Sequence, residues 1–308
     1  MKLLSGLLVA VAVALAPGRG ARGAEPTMIA RGEMAQVAAD DRSLVWAALD
    51  GVFERGPSGS VVQVAKGGVP ALALDGDALY AVRKDGIWRR PRAGGKWAKV
   101  VATDDPPAQL VAVAHYLYWA SPHGSIHRMP TSGGPTTTLA TFKGLTLYVA
   151  VDGSHVYFSA LGHARDHAVM RVPLAGGKPE VVFELSEPGR LVLDGQYLYV
   201  TCEETATVAD ARLVRLFKDG GPSQRPKVLA HGLRQPWDLF VARGYAYILV
   251  QEDSLQGVAG GVARVAGEGG TLEVVAGNQH GLWSMAHDRD NLYWSASGAI
   301  WSLPLPPR

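Results

Sequence analysis

Apolar stretches of four to eight residues, broken by Asp-Gly and Gly-Gly pairs, run along the chain from about residue 27 to its end. Short runs bounded by such turn residues predict β-strands rather than helices. The runs also repeat. One unit reads IWRRPRAGG (87–95), IHRMPTSGG (126–134) and VMRVPLAGG (169–177), and a second reads LALDGDALYAV (72–82), LVLDGQYLYV (191–200) and MAHDRDNLYW (285–294). The anchor of the second unit, Val45, Tyr80, Tyr118, Tyr157, Tyr199, Tyr247 or Tyr293, recurs about every 40 residues. An Asp stands five residues before five of these anchors, at Asp40, Asp75, Asp152, Asp194 and Asp288. Asp and Gly there suit a tight turn between a first and a second strand, which explains them better than calcium binding.

Each period thus holds an apolar first strand, a second strand carrying the anchor, an Ile/Val-x-Arg third strand ending in Gly-Gly, and an outer Val/Leu-Ala strand. Hydrophobic alternation within the strands is partial, as in sheets packed on both faces. Several short strands per 40-residue period predict an all-β fold, a seven-bladed β-propeller of four-stranded blades. The last unit has only three strands, ending near Leu303, while PTMIARG (26–32) repeats the outer-strand pattern of PKVLAHG (226–232). Residues 27–31 are therefore expected to supply the missing outer strand and close the ring, leaving no open edge.

The chain has 308 residues, 47% hydrophobic and 19% charged, with a net charge of +2. The charges alternate in sign without a basic stripe for nucleic acid. Residues 1–23 read as a signal peptide: Lys2, an apolar run Leu3–Ala16 too short to span a bilayer, Pro17, then small residues with Ala21 and Gly23 placed for cleavage before Ala24. No cysteine lies nearby to carry a lipid anchor, and no later segment reads as a transmembrane anchor. Residues 24–308 are then one propeller domain, expected to be a periplasmic or secreted monomer. The single cysteine, Cys202, follows the strand LYVT (198–201) and reads as a small buried side chain.

Tyr118-Trp119, Tyr157-Phe158 and Tyr293-Trp294, with Gly-x-Ile-x-Arg-x-Pro downstream in several repeats, resemble the YWTD repeats of low-density-lipoprotein-receptor-type propellers and their bacterial relatives. The full Tyr-Trp-Thr-Asp does not occur, and that family usually has six blades. The resemblance spans the mature chain through structural residues. It implies the fold and an extracytoplasmic recognition role, and carries over no site residue.

Local catalytic motifs are absent: no Gly-x-Ser-x-Gly, HExxH or Walker A occurs. Propeller sites are assembled across blades, so the useful positions are those where first strands begin. Four residues before the Asp turn stand Gln36, Ala71, Tyr148, Arg190, Asp238 and Ser284, with Gln109 or Leu110 in the third blade; Trp237 and Trp283 precede two of them. Gln36, Tyr148, Arg190, Trp237, Asp238, Trp283 and Ser284 form the candidate rim, aromatic with a few convergent polar groups. The competing reading makes the tryptophans wedges between blades and pairs Arg190 with Asp238. Connections between second and third strands are long in blades four to six, at 160–168, 202–212 and 251–261. They carry His163, Asp166, His167, Glu203 and Glu252, residue types able to hold a divalent metal.

The leading expectation is a binding module for a protein, peptide or glycan at the rim of blades four to seven, with no cofactor. The alternatives are a metal-assisted hydrolase or lyase at the same rim, and a scaffold without small ligand.

Overall fold

The computed structural model of the chain describes residues 25–32, 36–162, 167–203, 211–251 and 260–307. Its strands form seven four-stranded sheets, and no helix occurs among these residues. Six sheets are contiguous in sequence and span 36–66, 72–102, 111–141, 144–184, 188–233 and 236–277. Each innermost strand contacts the next, and that of the last blade (Met285–His287) contacts that of the first (Gln36–Ala39), so the ring is closed. The seventh sheet is composite: Thr27–Arg31 pairs antiparallel with Ala299–Pro304, setting Thr27 opposite Ser302 and Arg31 opposite Ala299. Gly32 N–H adds a bond to the Gly298 carbonyl at 2.9 Å. The N-terminal strand thus does what its likeness to 226–232 predicts.

The second strands carry the core. All seven anchors are buried, from Val45 at 0% exposure to Tyr293 at 6%. Each packs into a cluster shared with the following blade, as Tyr118 does with Val156 and Val172 of blade 4, and Tyr293 with Leu44 and Trp46 of blade 1. In blades 2 to 6 the tyrosine faces an arginine across the ladder, from Tyr80–Arg89 to Tyr247–Arg264. Every third-to-outer pairing contains a register shift, a bulge that adds twist to each blade. Gly86 and Gly261, which open third strands, are fixed by it: a Cβ on either would strike the carbonyl oxygen of Val101 or Ala276 in the outer strand.

The Asp turns close as expected from their side chains. Asp40, Asp75, Asp152 and Asp288 each accept the N–H groups two and three residues ahead on one carboxylate oxygen. Three of the second oxygens are used elsewhere: Asp40 takes Arg92 of blade 2, Asp152 takes Lys218 Nζ of blade 5 at 2.6 Å, and Asp288 takes the Tyr293 hydroxyl at 2.7 Å. Similar pairs tie other blades on this face, among them Arg215 with Glu268 and Arg289 with Asp41.

Burial pushes the Asp152 carboxyl up, but Lys218, the Ser154 and His155 N–H groups and the Ser154 hydroxyl outweigh it and hold the group well below the usual carboxylate range. A depressed folded pKa contributes stability above the unfolded value of about 3.9, and that contribution is lost as pH falls through the folded value. Asp152→Asn keeps an oxygen for the turn but loses the charge facing Lys218. It should cost about 1–2 kcal/mol at pH 7 by urea denaturation, with the gap from wild type closing progressively below about pH 4. Deleting residues 27–31 should be more damaging, since it bares the edge of Ala299–Pro304; soluble yield and thermal midpoint should both fall sharply.

Candidate functional site

Antiparallel strands put the Asp turns and the third-to-outer turns on one face of the ring. The second-to-third connections and the crossovers between blades lie on the other, called here the upper face. First strands begin on the upper face, so the rim residues inferred from sequence belong there.

Several of those residues join blades. Asp238 is 6% exposed. Its Oδ2 accepts the Met285 N–H of blade 7 at 2.8 Å, and its Oδ1 accepts the Leu239 N–H at 2.9 Å. The same Oδ1 lies 3.4 Å from Arg190 Nε of blade 5, and the Arg190 guanidinium sits 4.6 Å from the ring centre of Tyr148 in blade 4. Ser284, also buried, accepts the Val37 N–H of blade 1 at 3.3 Å and donates its own N–H to Ser295 Oγ. Gln109 Oε1 accepts the Val149 N–H at 2.9 Å in the same way. Gln109, Asp238 and Ser284 thus each accept a backbone N–H of the next blade's inner strand, at Val149, Met285 and Val37. Gln36 is half-buried opposite Ala47.

The tryptophans stand outside this belt. Trp237 is 41% exposed, with its ring centre 5.7 Å from that of Trp283 and the planes inclined at 43°. Trp283 is half-buried, and its N–H is fixed on the Ser295 carbonyl at 3.2 Å. Three residues ahead of Arg190, Asp238 and Ser284 the backbone turns left-handed, at Glu187 (φ 42°), Gln235 (47°) and Gly281 (57°). This repeated entry was missed in the sequence. Its trace was the proline after Glu187 and after Gln235, which disfavours a right-handed helical conformation before it.

A cavity of about 630 Å³ opens beside the rim over blades 3 to 5, lined by His123, Leu145, Leu161, His167 and Glu187. The Asp105 carboxylate lies 2.9 Å from His123 Nδ1 and raises the pKa of the imidazole. Burial, then the neighbouring Glu187, raises that of Glu203. His167 Nδ1 is buried without a hydrogen-bond partner among the described residues. Of the metal candidates, His163, Asp166 and Glu252 lie outside the described residues. Among the described residues no three His, Cys, Asp or Glu side chains come together to hold an ion. His123 and Glu187 are lining residues that sequence reasoning did not place here, because crossover and loop meet only in the ring. Cys202 is packed in the seam between blades 4 and 5, its thiol pushed up to about 11 by burial.

Ring, seams and rim define the class: a seven-bladed β-propeller. No family model and no curated protein matches the sequence. Among solved structures the chain is similar to one from a nidogen/laminin complex, with 19% identity over 75% of this chain and 90% of that one at a TM-score of 0.56. It is similar to the β-propeller domain of Cps50 (Swd1) from Myceliophteria thermophila, with 12% identity over 91% and 99% at 0.69. A gluconolactonase from Xanthomonas campestris aligns over 92% and 89% with 15% identity at 0.55. At such identities the likeness establishes the fold and nothing finer.

Asp238→Ala should strand the Met285 N–H and leave the partly buried Arg190 without its carboxylate. A loss of about 3 kcal/mol in urea denaturation is expected. Asp238→Asn, which still accepts the N–H, should lose less.

Proposed function

We propose that the protein is an exported recognition module, related to the YWTD-like propellers, that binds a protein, peptide or glycan on the upper face of blades 4 to 7. The observation that carries this reading is Trp237: a large aromatic, 41% exposed, braced by Trp283 and rooted on a strand whose neighbours are locked by Asp238. An exposed aromatic held in place loses little entropy on binding and suits the centre of a recognition surface. The cavity over blades 3 to 5 would extend the surface with His123, His167 and Glu187. The likeness to a chain crystallised in a nidogen/laminin complex is consistent with such a role. Residues 1–23, outside the described residues, would direct export, and no helix among the described residues is long and apolar enough to cross a membrane. The closed ring would act as a monomer, without metal or cofactor.

The test is a panel of immobilised glycans and peptides probed with the mature chain beginning at Ala24. Trp237→Ala should weaken any specific binding at least tenfold, about 1.4 kcal/mol, while moving the thermal midpoint by no more than about 1 °C. Unchanged affinity in that variant would remove this rim from consideration.

A further inference from the structure

The repeat supplies its own control, because each seam can be compared with six others. In blades 3 to 6 the third-strand residue after the cross-ladder arginine is apolar and sealed: Met129, Val172, Leu216 and Val265 are all at most 1% exposed. Each packs toward the preceding blade. In blade 2 that position is Arg90, whose side chain is 16% exposed. The facing blade is altered too. Its anchor is Val45 where the others have tyrosine, and opposite Val45 stands Glu54 where blades 2 to 6 have arginine. The seam between blades 1 and 2 has therefore lost a phenol ring and gained charge.

A groove of about 800 Å³ opens at this seam on the lower face, away from the rim. Arg42, Arg89, Arg90 and Arg92 line it against two carboxylates, Glu54 and Asp77. Arg92 is satisfied by Asp40 and by Ser43 Oγ at 2.7 Å, Arg42 donates to the Gly76 carbonyl, and Arg89 Nε reaches the Tyr80 hydroxyl at 3.3 Å. Arg90 is left over. Its Nη1 is buried, 3.8 Å from Glu54 Oε2, and meets no hydrogen-bond acceptor among the described residues. Glu54 is held elsewhere, with its Oε1 accepting the Ser43 hydroxyl at 3.0 Å. Placing a guanidinium where four sister blades bury a hydrocarbon costs stability unless its donors are met. Val62, 57% exposed, and Val64 give the groove an apolar wall.

We infer that this groove is an oxyanion site. It takes the carboxylate or phosphate of a small organic acid on Arg90 and Arg89, with the apolar part of the ligand against Val62 and Val64. The guanidinium fork matches both anions in geometry. The site is independent of the rim proposed above, on the opposite face.

Calorimetric titration of the mature protein in low-salt Tris chloride with benzoate and with phenyl phosphate tests this and separates the two acids. Saturable one-to-one binding of at least one is expected. Arg90→Leu, which installs the residue blade 5 carries, should weaken it at least tenfold without lowering the thermal midpoint. Glu54→Gln should tighten it severalfold by removing an internal anion. No saturable binding of either probe overturns the proposal. So does wild-type affinity in Arg90→Leu, or an affinity in Glu54→Gln that is unchanged or weaker.

Discussion

The structure depends on one constraint: a four-stranded blade is apolar on both faces and can cover neither by itself. Tyr118 is sealed only because Val156 and Val172 of the next blade lie against it, and the same holds around the ring to Tyr293, which needs Leu44 and Trp46 of the first. Such a set of half-interfaces has no natural end, so the sheets must curve until the last meets the first. The pairing of Thr27–Arg31 with Ala299–Pro304 makes that meeting a continuous sheet. Burial at the seams and closure of the ring are then one requirement.

Closure also dictates what the inner strands do with their polar residues. Where first strands run side by side around the ring, N–H groups on their free edge have no further strand to bond, and a buried donor without an acceptor is costly. Gln109, Asp238 and Ser284 reach across from the preceding blade to supply one. These positions look like a site in a sequence alignment of the repeats, being polar and spatially convergent, yet their hydrogen bonds are directed into the fold. Asp238 serves both descriptions, since it also fixes Arg190 and through it the face of Tyr148. Apart from them stand Trp237, exposed and set against Trp283, and the side chains that line the cavity over blades 3 to 5.

Departures from the repeat therefore carry more information than the repeat. An internal duplication tends to preserve what packing demands, so a position that abandons the shared residue must be tolerated or used. The seam of blades 1 and 2 abandons three at once, with Val45 for tyrosine, Glu54 for arginine and Arg90 for a buried hydrocarbon. The added residues of blades 4 to 6 are a departure of the other kind; in blade 4 they lengthen the hairpin itself, since 160–162 and 167–168 are paired strand rather than connection.

The sequence by itself determined the local and periodic part of this protein. Turn chemistry at Asp75 or Asp152, the anchor spacing and the orphan strand at 27–31 fix seven blades and their closure, because each follows from hydrogen bonding and burial over a few residues or from simple repetition. The choice between rim residue and seam residue was not legible there. Arg190 and Asp238 stand in equivalent places of successive repeats, and both readings of the pair were open from spacing alone; their 3.4 Å approach was settled by the angle between two blades. His123, His167 and Glu187 come from three different blades and share a cavity only once the crossovers converge. Tertiary structure decided these because side-chain contacts across a seam depend on how sheets are inclined to one another, a property of the whole ring that no single repeat encodes.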